Sequence, residues 1–537
     1  MSPGEGLLAG LAAVDELFET RFAEDLAPGL VYGVVVGGRL IHARGLGRTR
    51  LAADPGAEVA TPGVDSVFRI ASMSKSFTAA ALLLLRDRGL VELDAPIGRY
   101  VPELVDQPPY ADDSPPLTLR LLLTMAGGLL SDNPWGDRQE SLGHAAFGTF
   151  LDGGFTVGAE PGVGFEYANL GYAIIGRAIA NVVRPEDPDG ADRDFVEAEL
   201  LAPLGMTATR YDAAAVGSVL VPGHVKRSSG WQELAPVGPG AFSAMGGLHS
   251  SVKDLARWVG GLVAAFATDL SARSEPHPLG RATRRELQQL YRLDSVAGTL
   301  EVAGRRHPGI GAVATGYGFG LMVDHDTRLG QIVHHSGGYP GYGSRMVWHP
   351  ASGIGVITLS NGSYGGAYEQ SMSAVRLLAG TESSAVPGRV APPPGRGDRL
   401  ERALGTAIER LRGFDLDGDE VFADPDLFAD NVELDVPDAE RRVQLGELRE
   451  LVGLPLAAQS DVPDRPLRYV STMRASALVS WPAERGRYEV TVLLSPEEEP
   501  RLQSLKAVAV PPASDALVAA ARAALLATPE AAVARAF

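Results

Sequence analysis

Ser72 and Lys75 stand three residues apart in Phe68-Arg69-Ile70-Ala71-Ser72-Met73-Ser74-Lys75-Ser76-Phe77, at the head of an apolar stretch that runs to Leu85. Ser-x-x-Lys at the start of a helix sets a hydroxyl and an amine on one face, one turn apart. That is the geometry of a serine nucleophile with a lysine beside it as base. The choice of lysine is itself informative, because the chain holds 44 arginines and only four lysines, Lys75, Lys226, Lys253 and Lys506. Arginine does not release its proton in a protein, whereas a buried lysine does. To act at neutral pH the amine must fall from an ordinary pKa of ~10.4 to ~7–8, a change worth ~4 kcal/mol that burial and the positive end of a helix can supply. A serine at a helix N-terminus also presents an N–H without an intrahelical partner, which suits one donor of an oxyanion hole.

Ser-x-x-Lys alone is weak, since Ser250-Ser251-Val252-Lys253 matches it too; there Ser251 and Asp254 account for a helix start by capping. Ser72 therefore needs partners. One is Tyr167-Ala168-Asn169, at a loop-to-helix junction, readable either as a cleft-facing pair or as a capping Asn beside a packed Tyr. Another is His335-Ser336-Gly337-Gly338, after the β run Gln331–His334, where two glycines let another backbone approach and expose amide groups; a plain turn with a surface histidine is the blander alternative. His334-His335 lacks a further ligand at metal spacing. Ser131-Asp132-Asn133 spells another hydrolase motif, but no Lys-Thr-Gly-like strand follows at the distance it requires, so Tyr167 is preferred to Ser131. Asp415–Glu420 departs from a calcium loop at its sixth position and reads as a solvated acidic turn. Gly316-Tyr317-Gly318-Phe319-Gly320 introduces a strand, not the helix of a dinucleotide site.

The elements that must position these groups begin with a helix over about Leu7–Asp25. Gly29–Val36 and Arg39–Arg44 then flank Gly37-Gly38, the pattern of a β-hairpin. The Ser72 helix runs to about Asp87. Further helices are expected at Leu117–Met125, Tyr172–Val183 and Ser251–Ala265. Short β runs follow at Gly318–Val323, Gln331–His334, Arg345–His349 and Ile354–Ser360, then a helix near Tyr368–Leu378. Sheet pieces at both ends of a helical middle imply an α/β domain split by a helical insertion, over residues 1–381. Residues 382–398 are a Pro- and Gly-rich linker. A smaller α+β domain is expected over 399–512, with helices near Arg399–Arg412 and Glu440–Val452. Its β runs fall near Arg468–Met473, Ala477–Trp481, Tyr488–Leu494 and Leu502–Val510, the middle two joined by a turn at Glu484–Arg487. Residues 513–537 form an Ala-rich helical tail.

Composition narrows the function classes. The 537 residues include no cysteine, which excludes disulfides, thiolate catalysis and Cys-ligated metal sites. A net charge of −18 disfavours nonspecific binding to nucleic acid or to an anionic membrane. No uncharged apolar run reaches the ~18–20 residues of a membrane span, and the first residues lack the pattern of a signal peptide, so a cytoplasmic location is expected.

Taken in order, the three motifs resemble those of the serine hydrolases of the class C β-lactamase and D-alanyl-D-alanine carboxypeptidase superfamily: Ser-x-x-Lys, Tyr-x-Asn and a Lys/His-Ser/Thr-Gly strand. Leu90–Pro96, Pro203-Leu204-Gly205-Met206 and Gly246–Ser250 agree, and the likeness covers roughly Leu7 to Gly380. The resemblance implies a β-lactamase-like fold, an antiparallel sheet flanked by helices with a helical subdomain. It implies Ser72 as nucleophile, Lys75 as base and Tyr167 sharing the proton and passing it to the leaving group. Asn169 would orient Lys75 or bind the substrate amide, and the Gly338 N–H would be the second oxyanion donor. No metal or organic cofactor is implied. Where β-lactamases and carboxypeptidases of this superfamily commonly have a lysine for the substrate carboxylate, this chain has His335, as do D-aminopeptidases and esterases. An ester or amide hydrolase with poor β-lactam turnover is therefore expected. An acyltransferase or peptide-cyclising thioesterase, and an acylated penicillin-binding module that does not turn over, are the alternatives. The partner is a small-molecule or peptide ester or amide; homo-oligomerisation and the role of the second domain are left open. Thr124-Met125-Ala126-Gly127-Gly128 departs from the superfamily pattern and is expected, with Trp135, to shape the pocket mouth.

Overall fold

The computed structural model describes residues 3–51, 59–266, 277–297, 313–326, 329–379, 402–408, 426–453, 468–469 and 475–512. The backbone falls into two units, Met1–Glu401 with Ser495–Pro500, and Arg402–Leu494 with Arg501–Phe537.

In the first unit, β1 (Gly29–Val36) and β2 (Arg39–Gly47) form the hairpin expected from Gly37-Gly38. Both glycines have positive φ, +57° and +82°, the conformation a tight two-residue hairpin loop demands. β3 (Val67–Arg69) and β6 (His249–Ser251) pair as a short ribbon, as do β4 (Gly223–Arg227) and β5 (Gly230–Leu234). The later strands are β7 (Arg292–Ala297), β8 (Val313–Tyr317), β9 (Met322–Asp326), β10 (Gly330–Tyr339), β11 (Tyr342–His349) and β12 (Ile354–Ser360). With β1 and β2 they form an eight-stranded antiparallel sheet in the order β2-β1-β12-β11-β10-β9-β8-β7. β1 pairs with β12, Val34 opposite Val356, so both ends of the domain meet within one sheet, as the split pattern implied.

Alternate residues of β1 serve two cores. Leu30, Tyr32 and Val34 pack with Val14 and Phe18 of the helix Pro3–Phe22 and with Ala374 and Val375 of the helix Tyr368–Leu378. Val31 and Val35 join the larger core on the opposite face, with Val252, Leu255 and Val259 of the helix Val252–Ala264. Burial on both faces is why β1 reads as a continuous apolar run. At the centre of the larger core lies the helix Ser74–Asp87, buried at every residue from Ser74 to Leu85. Its polar groups are paired: Ser76 Oγ donates to the Met73 carbonyl and accepts from Trp258 Nε1 at 3.1 Å.

Two expectations need correction. Gly318–Val323 is not a strand throughout: β8 ends at Tyr317, β9 begins at Met322, and the link between them packs on the Ser72 helix. Gly320 has φ +70°, and a Cβ there would lie 2.5 Å from the Lys75 carbonyl oxygen. The run Gln331–His334 does not end at the histidines, because β10 continues through Gly337 and Gly338 to Tyr339.

The second unit holds a four-stranded antiparallel sheet, β13 (Arg468–Tyr469), β14 (Ser476–Ala483), β15 (Gly486–Leu494) and β16 (Leu502–Val510), in that order. The expected turn joins β14 to β15. The helix Asp438–Val452 lies against β15 and β16. The linker 382–398, the tail 513–537 and the acidic turn at Asp415–Glu420 lie outside the described residues. Among the described residues no helix is long and apolar enough to cross a membrane.

Candidate active site

Ser72 sits in a single 3-10 turn, Ala71–Met73, that leads directly into the Ser74–Asp87 helix. Ala71, just before it, is held at φ +47°, a region costly to a residue with a Cβ. Lys75 is fully buried, and its Nζ lies 3.0 Å from Ser72 Oγ, 2.6 Å from Asn169 Oδ1 and 2.7 Å from the Met245 carbonyl oxygen. Burial brings its pKa down to about 7, against Asp132, Asp137 and Glu140, whose charges hold it up. The lowering expected from burial is present.

Tyr167 lies in the loop before the helix Asn169–Val183, and its side chain hydrogen-bonds to that of Ser72. Burial raises its pKa, so the phenol keeps its proton at neutral pH. Its ring centre is 5.0 Å from Lys75 Nζ and 6.1 Å from the His335 ring. Asn169 is the first residue of its helix, not the cap. Its N–H and that of Leu170 both donate to Asp132, at 2.7 and 2.8 Å, so the carboxylate satisfies the helix start and leaves the Asn169 side chain for Lys75. Asn169 Nδ2 in turn donates to Asn133 Oδ1 at 2.8 Å. Burial pushes the pKa of Asp132 up to about 6, opposed by those two amides and by Lys75.

His335 is buried on β10. Its Nδ1 lies 2.6 Å from the Ser336 carbonyl oxygen, which can only accept, so Nδ1 carries the hydrogen. Its Nε2 then accepts from the Tyr317 hydroxyl at 3.0 Å. Burial, with the Lys75 charge, drives its pKa well down, and the ring is neutral. Gly337 brings β10 against the turn before Ser72: a Cβ there would stand 2.1 Å from the Ile70 carbonyl oxygen, which also accepts from Ser344 Oγ at 2.8 Å. Gly338 follows on the same strand.

The structure thus brings together Ser72, Lys75, Tyr167, Asn169 and His335 and seats Gly338 on the adjoining strand. It does not gather the second Ser-x-x-Lys match: Ser250 bonds to Thr209, Ser251 caps a helix by accepting from the Asp254 N–H, and Lys253 reaches Asp65 at the surface. His334 points elsewhere, towards Asp324 at 3.3 Å, and among the described residues no cluster of side chains is arranged to hold a metal ion. Trp135, expected at the pocket mouth, is buried in an aromatic cluster with Phe150 and Phe242. Met125 is buried as well, its sulfur accepting from the Ala168 N–H. Sequence reasoning missed Asp132 and Asn133 as supports of Asn169, although they stood in the Ser-Asp-Asn tripeptide. It missed the Met245 carbonyl and Tyr317, for which a motif offers no signal. It also missed the buried pair of Arg69 and Glu140 at 2.7 Å, where Arg69 stacks 3.6 Å over the Tyr339 ring.

A hydroxyl with a buried amine and a phenol beside it, held between a buried helix and the edge of an antiparallel sheet, defines a serine hydrolase of the β-lactamase and penicillin-binding-protein type. The beta-lactamase family model matches residues 14–381, and the chain belongs to that family. It is 27% identical over 379 residues to the D-alanyl-D-alanine-carboxypeptidase/endopeptidase AmpH of Escherichia coli (strain K12), covering 66% of this chain and 87% of that protein. It is 25% identical over 370 residues to Penicillin-binding protein 4* of Bacillus subtilis (strain 168), covering 64% of this chain and 70% of that one. Among solved structures, the octameric penicillin-binding protein homologue from Pyrococcus abyssi has the same fold, with a TM-score of 0.55 and 19% identity, covering 92% of this chain and 100% of that chain.

Proposed function

We infer that the protein hydrolyses an ester or amide through an acyl-enzyme on Ser72. The hydrogen-bond count at Lys75 carries this reading. A neutral amine has two hydrogens and one lone pair. Asn169 Oδ1 and the Met245 carbonyl can only accept, so they take the two hydrogens. The lone pair is left for the third neighbour, Ser72 Oγ, 3.0 Å away. A pKa of about 7 leaves a large share of Lys75 in that neutral form under ordinary conditions. Tyr167, whose pKa burial raises, is a proton carrier in this scheme and not the base.

The Ser72 proton passes to Lys75 as Oγ bonds to the acyl carbon. The resulting oxyanion is met by the Ser72 and Gly338 N–H groups. As the intermediate collapses, the bond to the leaving group breaks. The departing alcohol or amine takes a proton from Tyr167, which Lys75 replenishes. Water then attacks the acyl carbon by the same route in reverse, freeing the acid and restoring the Ser72 hydroxyl.

His335 shapes the substrate. Both ring nitrogens are engaged and the ring is neutral, so it offers no charge to a substrate carboxylate. This supports ester or amide substrates over β-lactams. The D-alanyl-D-alanine-carboxypeptidase/endopeptidase activity for which the Escherichia coli relative is named makes D-alanyl peptides the first amides to try. The test is a panel of p-nitrophenyl esters, D- and L-aminoacyl amides and nitrocefin, with wild type beside Ser72→Ala. Turnover of esters or amides is expected, with nitrocefin slower by orders of magnitude and Ser72→Ala inactive throughout. Nitrocefin turnover matching that of the best ester would overturn the substrate reading.

A further inference from the structure

Behind the strand that bears Gly338 stands a tyrosine for which the scheme above has no use. Tyr368 opens the helix Tyr368–Leu378, and its hydroxyl donates to the Gly337 carbonyl oxygen at 3.2 Å. The other acceptor in reach, the Tyr364 carbonyl at 3.4 Å, is more distant, and a hydroxyl has one hydrogen to give. The Gly337 carbonyl and the Gly338 N–H are two ends of one peptide group. The described chain contains no cis peptide bond, so these ends point in opposite directions.

The strand register says where each end points. Pairing of β10 with β9 stops at His334 opposite Met322, whereas pairing with β11 continues to Tyr339 opposite Tyr342. From His335 onward one edge of β10 is therefore without a strand and meets the Ser72 turn. Tyr339 and Tyr342 close a two-residue loop, and the closing pair of such a hairpin is a hydrogen-bonded one. Bonded and non-bonded pairs alternate in an antiparallel ladder. Gly337 opposite Ser344 is then a bonded pair, with its carbonyl turned towards β11, and Gly338 opposite Gly343 is not. The Gly338 N–H is left facing the open edge, while Tyr368 reaches the carbonyl end of the same peptide from the other side.

We propose that Tyr368 is a positioning residue for the oxyanion-binding amide of Gly338. A carbonyl that accepts a second hydrogen bond polarises its peptide group, so the N–H at the far end becomes a stronger donor. The same bond fixes the tilt of the peptide plane, which sets where the N–H aims. The Tyr364 ring adds a stop: a Cβ on Gly338 would stand 2.7 Å from Tyr364 Cδ1, so the peptide is also hemmed in on that face. The inference rests on the reading of Ser72 and Gly338 given above and extends it to the residue that tunes the hole.

The experiment uses the full chain and Tyr368→Phe, which keeps the ring and removes the hydroxyl. With p-nitrophenyl acetate, kcat is expected to fall about tenfold, a fraction of what losing a whole oxyanion donor costs, with KM within about twofold. The acyl carbonyl stretch of the acyl-enzyme, followed by rapid-mixing infrared with a carbonyl-labelled ester, is expected to move to higher wavenumber. Tyr368→His, which keeps a ring N–H donor, is expected to recover part of both effects. An unchanged kcat and an unchanged band in Tyr368→Phe overturn the inference. If that variant unfolds more easily, its band is compared with that of Tyr368→His, and identical bands in the two overturn it as well. Retained turnover in Ser72→Ala would instead sink the reading of the site itself, a result distinct from a dead Ser72→Ala beside a fully active Tyr368→Phe.

Discussion

Lys75 ties a cost in stability to a gain in chemistry. Its pKa falls from the lysine range to about 7 on burial. Between about pH 7 and 10 the unfolded chain binds a proton there that the folded chain does not, so stability rises with pH across that window. Urea titrations of wild type and Lys75→Met should show the wild type gaining on the variant by up to about 1.4 kcal/mol per pH unit over this range; a difference that does not vary with pH would contradict it. Acylation should vary on the acid side of that window: the rate falls below about pH 7 as Lys75 protonates and levels off above it. The Asp132 charge holds the Lys75 pKa up, so Asp132→Asn should slide the acid limb of the kcat/KM profile to lower pH, visible even if total activity drops. Ser72, Lys75 and Tyr167 were legible as candidates because three motifs in one order resemble those of a known family, not because any one of the spacings is rare. Asp132 was not, since it acts through two backbone amides and an asparagine.

The strand β10 shows what the residues between motifs must do. Two adjacent glycines read as the end of a strand, yet the strand runs on because pairing with β11 continues to Tyr339. Glycine is required there by proximity, not by a turn. Gly337→Ala would push a methyl group to 2.1 Å from the Ile70 carbonyl oxygen, so β10 and the Ser72 turn must separate. The variant should lose at least about 100-fold in kcat, as when an oxyanion donor is removed, and its thermal midpoint should drop by several degrees; circular dichroism and ester hydrolysis check the two together. The same cause hid the Gly318–Leu321 link, whose glycine accommodates the backbone of the Ser72 helix. Trp135 misled for another reason: a large aromatic in a loop beside the site fills the core as readily as it lines a cleft, and sequence does not distinguish the two.

At the level of the whole chain, the hydrophobic patterning and the order of elements were legible, including the α/β plan and the strands at both ends. Which strand would lie beside which was not, because β1 and β12 pair across more than three hundred residues, a separation no local pattern encodes. The boundary between the two units falls between Glu401 and Arg402, after the Pro- and Gly-rich run 382–398, and Ser495–Pro500 belong to the first unit. We expect brief proteolysis to cut within that run and to leave Ser72-dependent esterase activity in the cleaved sample. Loss of activity in step with cleavage would show that the second unit is needed for turnover.

The pairing of β1 with β12 also has a consequence in time. Val34 meets Val356 only after a further 322 residues have been made, and at about 5–20 residues per second that takes roughly 15–65 s. Until then β1, apolar on both faces, waits on the ribosome with only β2 available to pair with it. The nascent chain is most exposed to aggregation during that interval, and chaperones have most to offer it then.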